Sequence, residues 1–462
     1  MRKLHLLILI AALCSPALPQ TLSPTLRHQI DAVATAALAK TGVPSASIAI
    51  VQDGKIAYLQ AYGDARLDPR TPARPDMRYS IGSISKQFTA TAILLLQEQG
   101  KLSLDNKVAK FIPRLTRANE VSIRQLLSHT SGYQDYWPQD YVMPMMLQPT
   151  TADKIMDGWA RKPLDFDPGS KWQYSNTNYV IAGAIVEKAS GMSLLQFLRE
   201  KIFAPLNMNS VANIDQDALP VTDPIGYMRY ALGPLRPAPQ EGKGWLFAAG
   251  ELAMPADDLA RWDISIIDQK LLQPSSYRLL ETEVLLNDGA GTKYGLGLDI
   301  GTENGHRLLG HSGEVSGFTA QNTVYPDDHA AIIVLTNQDA VGASSQVADG
   351  IASLLFVTAD SETPQKLAQA RKIFDGLQHG ALDRSLFTAN ANFYFSELAL
   401  KDFAAGLAPL GPPLEFSQMN QELRGGMILR RYSVKFAQRT LRAWTFEMPD
   451  GKLEQYQIAP VD

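Results

Sequence analysis

Residues 90–96 are apolar on nearly every side, inside a predicted helix that spans residues 83–99 and stops at Gly100. A surface helix buries one stripe, but a helix apolar all round has to be enclosed. The chain must therefore fold in layers around this segment. The flanks supply those layers. Strand patterns precede it at residues 47–51 and 56–62 and return at 294–300, 307–310, 319–325 and 330–336. Asp53-Gly54 makes the first two a hairpin, because Asp-Gly readily takes the positive φ angles of a tight turn. Helical patterns at residues 22–40 and 347–355 bracket the strands. The reading is an α+β fold, an α/β/α sandwich whose antiparallel sheet is assembled from distant segments and flanked by helices. The middle, residues 101–266, reads as an all-helical subdomain with Pro-rich loops, 224–244 being a long surface loop.

Polar residues 358–364 read as a linker. A helix at 365–377 and antiparallel strands within 415–458, with Asp450-Gly451 as a hairpin turn, predict a small C-terminal α+β domain over residues 365–462. No catalytic constellation stands out in it. The main domain is expected over residues 21–357.

At the N-terminus, Arg2 and Lys3 precede an apolar run over residues 4–13, and Ser15-Pro16-Ala17 offers a small-residue cleavage site. This predicts a signal peptide over residues 1–20 and a secreted or periplasmic protein. A membrane contact is expected only if that segment stays uncleaved. Cleavage would also remove Cys14, the only cysteine, which excludes disulfides and thiol catalysis. Net charge is -4, with no basic excess to neutralise a phosphate backbone, so no nucleic-acid partner is expected. Seven histidines occur without an H-E-x-x-H motif, and neither a metal nor another cofactor is expected. Oligomeric state is left open.

Three motifs carry chemistry. Ser83-Ile84-Ser85-Lys86 is the only S-x-x-K in the chain and begins the enclosed helix. The i, i+3 spacing puts Ser83 and Lys86 on one face. A buried lysine has a lowered pKa and, once neutral, can take a serine's proton. The helix start also offers free N–H groups to an oxyanion. Tyr174-Ser175-Asn176 follows the turn at Asp167-Pro168-Gly169. Tyrosine can relay protons and asparagine can grip a substrate amide. His311-Ser312-Gly313 lies near the end of a predicted strand, where a small residue lets a substrate approach the strand edge. Gly310-His311-Ser312 is not a nucleophile elbow, since Glu314 holds the position where G-x-S-x-G needs glycine.

Taken in order, S-x-x-K, Y-x-N and H-x-G resemble the serine β-lactamase and penicillin-binding protein superfamily, in the branch of class C β-lactamases, D-Ala-D-Ala carboxypeptidases and related esterases. The resemblance covers roughly residues 25–355, including Leu126-Leu127-Ser128-His129-Thr130-Ser131-Gly132 and Phe166-Asp167-Pro168-Gly169-Ser170-Lys171-Trp172. It implies a serine hydrolase that cleaves an ester, amide or β-lactam bond of a small-molecule or peptide substrate through an acyl-enzyme. The alternative is a penicillin-binding or sensing protein that acylates with little turnover. By the same resemblance Ser83 is the nucleophile, and Lys86 and Tyr174 share the proton transfers. Asn176 contacts the acyl side chain. His311 stands where many members carry the lysine of K-T-G, followed by Gly313. The backbone N–H groups of Ser83 and Glu314 form the oxyanion hole. His129 and Ser131 fall in a structural turn. A histidine at 311 is cationic only part of the time, so a rate limb near neutral pH is expected from it. Tyr136, Trp137 and Trp245 are candidates for the cleft border.

Overall fold

The computed structural model describes residues 22–139, 141–303, 305–356 and 363–461. The expected signal peptide and most of the expected linker lie outside them. The chain divides into two compact units, Met1–Phe356 and Val357–Asp462.

Seven strands form the main sheet of the first unit. They are β1 (Ser45–Gln52), β2 (Lys55–Leu67), β3 (Arg70–Pro72), β4 (Asp299–Glu303), β5 (His306–Val315), β6 (Phe318–Tyr325) and β7 (Ala330–Thr336). Their spatial order is β3-β2-β1-β7-β6-β5-β4, and every pairing is antiparallel. Asp53 and Gly54 both take positive φ at the β1–β2 turn, as expected for Asp-Gly. The pairing of β1 with β7 joins the two distant strand sets, with Ile48 opposite Val334 and Ile50 opposite Ile332.

Period-2 alternation sends these residues to two faces. Ile48, Ile50, Ile332 and Val334 pack under helices α1 (Pro24–Thr41) and α5 (Ala343–Leu355). Ala49, Val51, Ile333 and Leu335 join the larger core on the other face, with Phe88 of helix α2 (Ser85–Glu98) and Trp262 of helix α4 (Ala256–Ile267). Both faces are covered, so central strands read as unbroken apolar runs. Ser23 caps α1 through Leu26 N–H and Gly42 closes it in the left-handed region.

Helix α2 is enclosed as its composition requires: eleven of its fourteen residues are buried. Its neighbour in the middle region is helix α3 (Asn176–Ser190). The middle also carries two small sheets, Tyr79–Ser80 with Leu252–Met254 and Ala212–Asn213, and Tyr227–Met228 with Arg236–Pro237. One strand expectation is corrected. The strand expected from residue 294 begins only at Asp299, and residues 294–298 lie outside it. Gly297 has φ +79°, and Gly295 N–H bonds Leu298 O in a tight turn. A Cβ at 297 would sit 3.0 Å from both the Lys86 carbonyl and the Tyr179 hydroxyl, so this segment leaves the sheet to pack on α2. Among the described residues no single helix is long and apolar enough to cross a membrane.

The second unit has helix α6 (Thr363–Gln378) and a four-stranded antiparallel meander: β8 (Glu415–Arg424), β9 (Met427–Lys435), β10 (Thr440–Glu447) and β11 (Leu453–Pro460). Phe374, Leu377, Tyr432, Val434 and Tyr456 fill its core. Glu447 accepts from Arg430 and Lys366 there.

Candidate active site

Ser83 sits in a 3-10 turn, Gly82–Ile84, that leads directly into α2. The turn is pressed against β5. A Cβ on Gly82 would lie 2.6 Å from the Glu314 nitrogen, and one on Gly313 would lie 1.9 Å from the Ile81 carbonyl. Only glycine allows that approach, and Gly82 also needs it for φ +52°. The approach makes the peptide groups of Ser83 and Glu314 neighbours, as a two-donor oxyanion site requires. Gly313 also has a packing role: without a Cβ it lets the Ser83 turn reach the sheet.

The Ser83 hydroxyl is held from two sides. Lys86 Nζ lies 2.9 Å from Oγ and the Tyr174 hydroxyl donates to it at 2.7 Å. Lys86 is fully buried and also donates to Asn176 Oδ1 and to the Ala249 carbonyl, each at 2.8 Å. Burial pushes the ammonium down to about 7, against an opposing pull from Asp135. A neutral Lys86 keeps two N–H groups for Asn176 and Ala249 and turns its lone pair to the Ser83 hydroxyl. That is the arrangement of a general base. Burial drives Tyr174 the other way, well above the ordinary phenol value, so it stays protonated and able to donate.

Asn176 opens α3 and is oriented by a residue the sequence reading passed over. Asp135 accepts from the Asn176 backbone N–H at 3.0 Å and from Nδ2 at 3.3 Å. The amide oxygen therefore faces Lys86, and a second Nδ2 hydrogen is left for a substrate. The acceptor role of the Ala249 carbonyl was not assigned from sequence, because a carbonyl carries no side-chain signature.

His311 is buried on β5. Its Nδ1–H donates to the Ser312 carbonyl, which leaves Nε2 to accept from the Tyr294 hydroxyl at 2.9 Å. Burial, helped by the positive charge of Lys86, pushes its pKa down to about 4. The expected limb near neutral pH is thus corrected: His311 is a neutral imidazole there, and Lys86 is the group near 7.

His129 takes φ +59° within the turn at residues 128–132. Its Nδ1 accepts from Ser175 N–H at 3.2 Å, and its ring lies 4.4 Å from the ring of Tyr174. Ser131 donates to Asn178. Both side chains position the Tyr174 segment, as expected of a structural turn. Ser83, Tyr174, Asn176, His311 and Glu314 line one cavity of about 830 Å³ in the first unit. Tyr136 and Trp137 border it. Trp245 does not: it is buried behind, 5.9 Å from the ring of Tyr136.

The beta-lactamase family model matches residues 30–355. The D-aminopeptidase of Brucella anthropi is 29% identical over 340 residues, 73% of this chain and 64% of that protein. The chain thus spans less than two thirds of that relative. Penicillin-binding protein 4* of Bacillus subtilis is 28% identical over 374 residues, 76% of this chain and 78% of that protein. Among solved structures, a D-stereospecific amidohydrolase from a Streptomyces species superposes with a TM-score of 0.62 at 28% identity, covering 72% of this chain and 99% of that one. The octameric penicillin-binding protein homologue of Pyrococcus abyssi gives 0.63 at 22% identity over 94% of this chain and 96% of that one, a likeness of fold alone. The match over residues 30–355, which contain every motif at the cavity, places the chain in the beta-lactamase family of serine hydrolases.

Proposed function

We propose that this protein hydrolyses amide bonds next to D-configured residues through an acyl-enzyme on Ser83. The observation that carries the reading is the hydrogen-bonded set at the Ser83 hydroxyl, with Lys86 at 2.9 Å and Tyr174 at 2.7 Å. In acylation, Ser83 Oγ attacks the carbonyl and its proton passes to Lys86. The C–N bond breaks as Tyr174 gives its proton to the leaving nitrogen, and the Lys86 ammonium restores the phenol. Net, one proton moves from serine to amine. Water then takes the amine's place and the same transfers run in reverse, releasing acid and free Ser83. The similarity to a D-aminopeptidase and to a D-stereospecific amidohydrolase supports the choice of D-amides. Neutral His311 supports it too, since it offers no cation to a substrate carboxylate of the kind β-lactams carry.

A secreted or periplasmic location belongs to the same reading, resting on Arg2, Lys3 and the apolar run after them. N-terminal sequencing of protein from cell fractions tests it; an intact Met1 in the cytoplasm would overturn it. The activity is tested by comparing D-phenylalaninamide, L-phenylalaninamide, a D-Ala-D-Ala peptide, a cephalosporin and a p-nitrophenyl ester on purified protein. The D-amide is expected to show steady turnover that is lost in Ser83→Ala. A single burst of product without turnover would favour the low-turnover penicillin-binding reading, which the similarity to penicillin-binding protein 4* keeps in view.

A further inference from the structure

Asp299 lies in the cavity wall, and the Ser83 chemistry makes no use of it. Strand β4 pairs with β5 only as far as Asp299 opposite Gly310. From His311 to Val315 that side of β5 has no strand partner among the described residues, and His311, Ser312, Glu314 and Val315 line the cavity. An extended substrate on this open edge continues the track of β4, so one of its ends comes up against Asp299.

The Asp299 carboxylate is exposed to the cavity, accepts no hydrogen bond and forms no ion pair among the described residues. Above about pH 7, where Lys86 is neutral, the rings that face it carry no charge. His311 is neutral, and burial holds Tyr174, Tyr179 and Tyr294 as phenols, each raised further by the charge of Asp299. Lys293 joins Ile300 through its backbone and makes no ion pair with Asp299. Partial desolvation is the one cause acting on the Asp299 carboxyl, which stays open to the cavity, and it pushes the group up to about 6. The one arginine in the lining, Arg229, is remote from it. It follows Tyr227, which bridges Gln338 just beyond β7. Its guanidinium donates to the Gly42 carbonyl and to Gln338 Oε1 and not to Asp299.

Resting on the proposed amide-hydrolase reading, we infer that Asp299 is a specificity-determining residue. It disfavours substrates that place a carboxylate beside His311 and selects those that present an uncharged amide or an amine there. At pH 8, with Lys86 neutral, two carboxylates side by side here repel, and no cation among the described residues pairs with Asp299 to offset them.

The test is a matched pair, D-alanylglycine and D-alanylglycinamide, with D-alanine release measured for both. At pH 8 the native protein is expected to favour the glycinamide at least ten-fold in kcat/KM. The ratio should shrink several-fold as pH falls through 6 and Asp299 is protonated. Lys86 becomes an ammonium over the same range and attracts the glycine carboxylate, so the Asp299→Asn protein is the control that isolates the Asp299 part. Asp299→Asn should bring the ratio at pH 8 to within about three-fold of unity and leave only the smaller change with pH that Lys86 causes, whereas Asp299→Glu should keep the preference. A native ratio near unity, or an Asp299→Asn ratio equal to the native one, would overturn this inference and leave the hydrolase reading standing. Native inactivity on both dipeptides and on D-phenylalaninamide would overturn the hydrolase reading and this inference with it.

Discussion

Replacing Tyr174 by Phe separates the two protons that an amide hydrolase must move. The substitution deletes one hydroxyl, 2.7 Å from Ser83 Oγ, and keeps the ring. That ring still packs 4.4 Å from the His129 ring and 5.0 Å below the Lys86 ammonium, so the site should keep its shape. The Ser83 proton still has a route, because Lys86 Nζ remains 2.9 Å away. What is lost is the donor to the leaving nitrogen. A positioned general acid is worth roughly 10²–10⁴-fold, or about 3–5 kcal/mol. An amide needs all of it, since an unprotonated amine is a very poor leaving group. A p-nitrophenyl ester expels a stable phenolate and needs little. Tyr174→Phe should therefore lose about 10²-fold or more in kcat/KM on D-phenylalaninamide and less than about ten-fold on the matching p-nitrophenyl ester. Stopped-flow or steady-state assays of both substrates on one preparation decide it. Equal losses on the two would refute the division of labour and assign Tyr174 to activating Ser83 instead.

Other residues give sharper or simpler tests. Lys86 must be neutral to accept a proton, so kcat/KM should fall as pH drops below about 7. That limb should persist in His311→Gln, because the histidine is already neutral there; its disappearance would return the limb to His311. Gly313→Ala drives a methyl into the Ile81 carbonyl, and should cost about 1–3 kcal/mol of stability with a larger proportional loss of activity as the Ser83 turn is displaced. Glu251 is buried, with Oε1 unpartnered among the described residues, and burial pushes its carboxyl up to about 8. The unfolded chain releases this proton near the ordinary value while the folded protein holds it. Stability is therefore lost as pH rises from about 4.5 to 8, and Glu251→Gln should recover on the order of 2 kcal/mol at pH 7 but little at pH 4, read from thermal melts.

The layers and the motifs were legible because each rests on a side-chain pattern. An all-apolar helix has to be enclosed, and the alternating faces of β1 and β7 share one set of constraints whatever joins them. Ser83 and Lys86 were readable together because a helix places i and i+3 side by side. The strand expected at residues 294–300 failed over residues 294–298, where the backbone decides: Gly297 takes φ +79° to pack against α2, and alternation says nothing about that. His311 was assigned the charge of a solvated imidazole, since spacing does not report burial. Asp135 and the Ala249 carbonyl shape the lysine from 49 residues and 163 residues away, distances that local reading does not cross. Asp299 was hidden inside a strand pattern, its meaning set by where β4 stops pairing.

The central claim is a covalent acyl group on Ser83. Purified protein mixed with an N-acyl-D-phenylalanine p-nitrophenyl ester and quenched in acid within milliseconds to seconds can be weighed intact and then mapped by peptide. The account expects one added acyl mass, located on the peptide that carries Ser83 and absent from Ser83→Ala. An adduct on another residue, or undiminished hydrolysis by Ser83→Ala, would contradict it.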